Sequence, residues 1–117
     1  MEDKTLEMTM LLDFFGELLT ERQRGCLELH YGEDLSLGEI ASELGISRQG
    51  VRDNLVRGER ALREYEARTG IVRRFVEMRA EQAAAAEKAE RLVSLLPEGE
   101  ARRAAEELER RIARMKG

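Results

Sequence analysis

Ser36-Leu37-Gly38-Glu39-Ile40-Ala41-Ser42-Glu43-Leu44-Gly45-Ile46-Ser47-Arg48-Gln49-Gly50-Val51-Arg52-Asp53-Asn54-Leu55 holds two helical patterns joined by one glycine. Its first four residues form a capping box, in which the Ser36 hydroxyl accepts from the backbone of Glu39 and the Glu39 side chain reaches back to the Ser36 amide. Ile40, Ala41 and Leu44 then give a short helix one apolar face, and Gly45 breaks it. Ser47 is placed to cap a second helix from Arg48, whose apolar face runs through Val51, Leu55, Leu62 and Tyr65 until Gly70 ends it. Ala41 is small where two helices would cross, Gly45 supplies the turn, and Ile40, Leu44, Ile46, Val51 and Leu55 can share a core. These are the requirements of a helix-turn-helix.

On the N-terminal side, a helix is expected from about Thr5 to Leu19, with Leu6, Met10, Leu11, Phe14 and Leu18 as its apolar stripe. Thr20-Glu21-Arg22-Gln23 repeats the capping box and starts a second helix. That helix is expected to run through Cys26, Leu27 and His30 to about Tyr31, with Gly32 as a left-handed stop. On the C-terminal side, Ile71, Phe75, Met78, Gln82, Ala85, Ala89, Leu92 and Leu96 alternate steps of four and three, a coiled-coil seam. Pro97-Glu98-Gly99 interrupts it, and Ala101, Ala105, Leu108, Ile112 and Met115 resume it. Such a short break predicts an antiparallel helical hairpin. Pairs four apart, Glu87 with Arg91, Glu98 with Arg102, Glu106 with Arg110 and Glu107 with Arg111, support its exposed faces.

The fold class expected is therefore all-α, with a helix-turn-helix domain over 1–70 and a helical hairpin or dimerisation arm over 71–117. A length of 117 residues with 42% apolar and 38% charged content fits this and excludes a large multidomain enzyme. The segment at Met1-Glu2-Asp3-Lys4 lacks the basic flank and apolar run of a secretory signal, and no apolar run suffices to span a bilayer. A cytoplasmic protein without membrane insertion is expected. Cys26 and His30 are the sole residues of their kinds, so a zinc site built from several Cys and His is out of reach and both are expected to be structural. With no acid–base pair, phosphate loop or activated nucleophile to assemble, neither an enzyme nor a cofactor is expected.

The net charge of −4 is unevenly spread. Residues 1–35 hold three basic and nine acidic side chains, a net −6, whereas residues 47–63 hold five arginines against Asp53 and Glu59, a net +3. One basic element thus sits in an acidic protein. The candidate nucleic-acid-binding residues are Ser47, Arg48, Gln49, Arg52, Asp53, Arg57 and Arg60. In a major groove, Arg suits guanine, Gln suits adenine and Asp accepts from cytosine. The free amides after Ser47 could instead hold a phosphate. Equally, the unit could be a packing device whose arginines form a solvated face.

Leu19-Thr20-Glu21-Arg22-Gln23-Arg24, Tyr31-Gly32-Glu33-Asp34-Leu35-Ser36-Leu37-Gly38-Glu39-Ile40-Ala41 and Ser47-Arg48-Gln49-Gly50-Val51-Arg52-Asp53-Asn54-Leu55 together resemble the YlxM family, also called UPF0122. The resemblance covers about residues 5–80, and its wider class is similar to region 4 of bacterial sigma factors, a helix-turn-helix related to winged-helix folds. It implies a bacterial cytoplasmic accessory of the signal recognition particle pathway that contacts the particle RNA or its GTPase, with Arg48, Gln49, Arg52 and Asp53 facing nucleic acid. The particle RNA is largely duplex, which is read by shape and phosphates, for which Arg48, Arg52, Arg57 and Arg60 are suited. Phe14, Phe15, Tyr31, Tyr65 and Phe75 mostly sit on predicted core faces, which disfavours stacking on single strands. The alternative is a sequence-specific DNA-binding regulator using the same residues. The seam over 71–96, longer than its partner helix, predicts a homodimer.

Overall fold

A computed structural model describes residues 2–115. Its α-helices are α1 (Glu2–Phe15), α2 (Glu21–Leu27), α3 (Leu37–Leu44), α4 (Arg48–Thr69), α5 (Ile71–Leu95) and α6 (Glu100–Arg114). Among the described residues there is no strand, so the protein is all-α and its helix-turn-helix carries no β-wing. The chain divides into two compact units, Met1–Val72 and Arg73–Gly117.

In the first unit, α4 is the axis against which α1, α2 and α3 pack. Met8, Leu11 and Phe15 of α1, Cys26 and Leu27 of α2, Ile40 and Ala41 of α3, and Val51, Leu55 and Leu62 of α4 form one buried core. The Phe15 and Tyr65 rings meet with centroids 5.8 Å apart. Gly58 marks a close approach of α2 to α4, where a β-carbon would stand 2.6 Å from Leu27 Cδ1. A mid-helix glycine costs roughly 1 kcal/mol against alanine, and the packing it permits offsets that cost.

The caps follow local chemistry. Thr20 Oγ1 accepts from the Gln23 amide at 3.1 Å while Gln23 Oε1 accepts from the Thr20 amide at 3.2 Å. Ser36 Oγ accepts from the Glu39 amide at 3.2 Å and Glu39 Oε1 from the Ser36 amide at 2.8 Å. The Ser36 backbone amide most of all, and then the Ser36 hydroxyl, hold the Glu39 carboxyl below its ordinary pKa. Gly45 and Gly70 end α3 and α4 in the left-handed region, at φ 68° and 64°, where a β-carbon would be strained.

Four expectations for the N-terminal region are corrected. The buried face of α1 is Met8, Leu11 and Phe15, while Leu6, Phe14 and Leu18 are exposed. This segment is apolar nearly all round, so periodicity alone does not select a face. Helix α1 also begins earlier than Thr5 and gives way to a 3₁₀ turn at Gly16–Leu18. The second expected helix is α-helical only to Leu27 and widens into a π turn at Glu28–Gly32. Gly32 is not left-handed; that conformation falls to Asp34, at φ 57°. Asp tolerates this region because its short side chain can bond locally. The bent segment is closed by the Leu35 amide donating to the Leu29 carbonyl at 3.1 Å, with His30 Nδ1 3.1 Å from the Leu35 carbonyl.

In the second unit, α5 and α6 fold back on one another across 96–99. Gln82 Nε2 donates to the Ile112 carbonyl at 3.0 Å, and Ala89, Ala105 and Ile112 are buried. Other seam positions stay open, among them Met78, Leu92, Leu108 and Met115. Arg102 lies 3.5 Å from Glu98 and 3.6 Å from Glu106, and Arg111 lies 3.1 Å from Glu107, while Arg110 pairs with Glu107 at 3.0 Å in place of Glu106. These hydrogen bonds from Arg110 and Arg111 lower the Glu107 pKa.

Candidate nucleic-acid interface

The site is built on the first three turns of α4. Ser47 is the N-cap, and its Oγ accepts from the Gly50 amide at 2.9 Å. Its hydroxyl therefore starts the helix. Val51 and Leu55 anchor the inward side in the core, which turns Arg48, Gln49, Arg52, Asp53, Arg57 and Arg60 outward, all of them exposed. Residues four apart on a helix are neighbours, so 48 with 52, 49 with 53 and 57, and 52 with 56 and 60 make one continuous strip.

Charge pairing separates the arginines of α4. Arg63 lies 3.6 Å from Glu7 and 4.0 Å from Glu59, and Arg68 lies 3.7 Å from Glu64. Among the described residues, Arg48, Arg52, Arg57 and Arg60 have no such carboxylate partner. Glu59 is occupied elsewhere: Tyr31 Oη donates to its Oε2 at 2.6 Å, and Lys4 Nζ lies 3.4 Å from its Oε1. Burial and this bond to Glu59 push the Tyr31 phenol well above its ordinary pKa. Glu59, adjacent to Arg60, is thereby drawn inward to α1 and Tyr31, whereas Asp53, adjacent to Arg52, stays exposed on the strip.

Asp53 has a different role from its neighbours. Gln49 Nε2 donates to Asp53 Oδ1 at 3.0 Å, which engages one of its two amide hydrogens and leaves Gln49 Oε1 and Asp53 Oδ2, on two exposed side chains, as acceptors. Asn54 Nδ2 donates to the Gly50 carbonyl at 2.8 Å and serves its own helix.

Two contributors escaped the sequence reading. Val56, 49% exposed, lies on the strip between Arg52 and Arg60 and adds an apolar contact; its spacing of four from both was the available signal. Gly38 lets the Arg48 guanidinium settle on the first turn of α3, since a β-carbon there would be 2.9 Å from Arg48 Nη2. Nothing in the sequence pairs those two positions.

Cys26 is buried and free, with burial raising its thiol pKa against the lowering by Arg22. Among the described residues no group of three or more His, Cys, Asp or Glu could hold a metal ion, and no helix is long and apolar enough to cross a membrane.

A sequence profile of the family UPF0122, described as "Putative helix-turn-helix protein, YlxM / p13 like", matches residues 2–94. A UPF0122 protein of Desulforamulus reducens is 51% identical over 69 residues, which are 59% of this chain and 59% of that protein. One of Caldanaerobacter subterraneus subsp. tengcongensis is 53% identical over 78 residues, 67% of each chain, and one of Halalkalibacterium halodurans is 51% identical over 75 residues, 64% of this chain and 69% of its own. The shared part thus spans about three fifths to two thirds of these relatives. Their likeness and the profile lead to one assignment: this chain belongs to the UPF0122 family of helix-turn-helix proteins.

Proposed function

We propose that the chain binds a nucleic-acid duplex with the outward side of α4, through Ser47, Arg48, Gln49, Arg52, Asp53, Arg57 and Arg60, as a cytoplasmic accessory protein of the signal recognition particle pathway. The observation that carries this reading is the strip of four exposed arginines without carboxylate partners among the described residues, on a helix whose remaining arginines are ion-paired. Guanidinium groups free of acids are available to phosphates, and each phosphate contact releases counterions and adds to a salt-dependent affinity. The resemblance to YlxM supports the particle RNA, or the GTPase that accompanies it, as the physiological partner. An A-form duplex exposes phosphates and a shallow minor groove, a target matched by charge and shape and needing no exposed aromatic.

A sequence-specific DNA-binding regulator with sigma region 4-like recognition is the second reading, and the Gln49–Asp53 bond favours it. Paired acceptor oxygens suit the exocyclic amines of cytosine and adenine, which a DNA major groove presents and an RNA major groove is too narrow to offer.

The arrangement read here is a helix-turn-helix domain over 1–70 with an arm over 71–117 that dimerises. The thin buried layer of Ala89, Ala105 and Ile112 beside exposed Met78, Leu92, Leu108 and Met115 supports that dimer. A two-fold dimer would present two copies of α4.

Fluorescence-anisotropy titrations with particle RNA and with duplex DNA, at several salt concentrations, test the function. RNA binding that is lost in Arg48→Ala with Arg52→Ala, with no preferred DNA site, is the expected result. Tight, sequence-selective DNA binding would replace the first reading by the second, and binding to neither would remove both. Light scattering that finds a monomer at micromolar concentration would remove the dimer.

A further inference from the structure

Gly38 stands in the first turn of α3, where the backbone does not ask for a glycine. Its φ lies outside the left-handed region that Gly45 and Gly70 occupy. A glycine inside a helix weakens it relative to alanine, because the unfolded chain has more freedom to lose. What an alanine here would take away is space, and that space is used. A β-carbon at Gly38 would stand 2.9 Å from Arg48 Nη2, 3.2 Å from its Nε and 3.3 Å from its Cζ. Beyond the adjoining residues and the helix's own backbone, these are the three nearest atoms, and all belong to one guanidinium. Arg48 therefore lies against α3 by its Nε–Nη2 edge, with Nη1 farther out.

The acids beside this seat are engaged elsewhere. Glu39 Oε1 accepts from the Ser36 amide at 2.8 Å, and Asp53 Oδ1 accepts from Gln49. Among the described residues Arg48 has no carboxylate partner, and it is exposed. An arginine that waves in solvent must be ordered before it can hold a ligand; one already laid against its neighbour has lost part of that freedom beforehand. Its planar fork matches phosphate oxygens, so orientation matters to it more than to a lysine. Gly58 is the contrast, because the space there is filled by the buried Leu27, whereas the far end of Arg48 is free to swing away.

We infer that Gly38 is a positioning residue for duplex binding: it seats the Arg48 guanidinium on α3, so that the outward N–H groups of Arg48 meet a duplex phosphate at the joint between α3 and α4. Gly38 touches no ligand in this role and acts only through Arg48. The inference rests on the reading of α4 as the duplex-binding side.

The test is a double-mutant cycle in the full chain: wild type, Gly38→Ala, Arg48→Ala and the two together. Each is titrated at low and moderate salt into a fluorescein-labelled RNA duplex of about 20 base pairs, and each is melted by circular dichroism. Gly38→Ala is expected to bind about threefold more weakly than wild type, with a smaller log–log salt slope. It is also expected to melt no lower than wild type, since alanine is the better helix former and the side chain it displaces is exposed. In the Arg48→Ala background the same substitution is expected to leave affinity unchanged and to raise the melting temperature by more than it does in wild type. Equal loss of affinity in both backgrounds overturns the inference, because Gly38 would then act independently of Arg48. So does a lowered melting temperature in Gly38→Ala, which would make the glycine a packing requirement. Wild-type affinity in Gly38→Ala overturns this inference alone, whereas a wild type that binds no duplex removes it together with the reading of α4.

Discussion

The inward and outward sides of α4 differ in what satisfies them. Inward, Val51, Leu55 and Leu62 are buried against three other helices, Gly58 admits Leu27, and Glu59 is held by Tyr31, Lys4 and Arg63. Outward, Arg48, Arg52, Arg57 and Arg60 are exposed to solvent and have no carboxylate partner among the described residues. One side has its interactions completed within the molecule; the other has interactions left to make. Function is argued from the second side, and the fold from the first.

The sharpest way to break this division is on the inward side. Leu62→Ala removes a fully buried side chain and is expected to cost about 2–5 kcal/mol, read as a lowered denaturant midpoint in chemical unfolding. Duplex affinity of the molecules that remain folded should not change. Gly58→Ala is expected to cost about 1–3 kcal/mol despite alanine's better helix propensity, because the new methyl meets the buried Leu27. A stabilised Gly58→Ala protein would mean that α2 and α4 do not approach as closely as described.

The caps test the boundary between the two sides. Ser47→Ala removes the acceptor for the Gly50 amide and is expected to cost about 1 kcal/mol, measured by thermal melting. It should also weaken duplex binding modestly, since the cap aims the first turn of the strip.

The smallest effect is one of pH. Glu39 has a lowered pKa because the Ser36 amide and hydroxyl hold its ionised form, so the unfolded chain takes up its proton first. Its contribution is fully present above the ordinary carboxylate pKa and is lost as pH falls from there through the lowered pKa of the folded state. Glu39→Gln keeps a capping side chain without the titration, so its stability should fall less steeply below neutral pH; an identical decline would show that Glu39 is not involved.

What the sequence made legible was local chemistry. Thr20 with Gln23, Ser36 with Glu39, and Ser47 with Gly50 lie within one helical turn, so their caps could be read without tertiary knowledge. Gly45 and Gly70 were equally plain as helix ends. The outer face of α1 was misread because apolar residues occupy too many of its positions. Gly32 was misread because the π turn moves the left-handed residue on to Asp34. The Gln49–Asp53 bond depends on rotamers, the inward draw on Glu59 joins residues 28 positions apart, and the space at Gly38 is used by a side chain from the next helix. Only the first has a spacing behind it, four residues on one helix face, and that spacing does not say which donor and acceptor meet.

The central claim is that the outward arginines of α4 engage phosphates. The most direct measurement is the salt dependence of duplex binding in wild type and in Arg48→Ala with Arg52→Ala. The account predicts weaker binding and a log–log slope smaller by about two, one per phosphate contact removed, with the melting temperature nearly unchanged. An unchanged slope and affinity in the variant, or a wild type that binds no duplex at low salt, would contradict it.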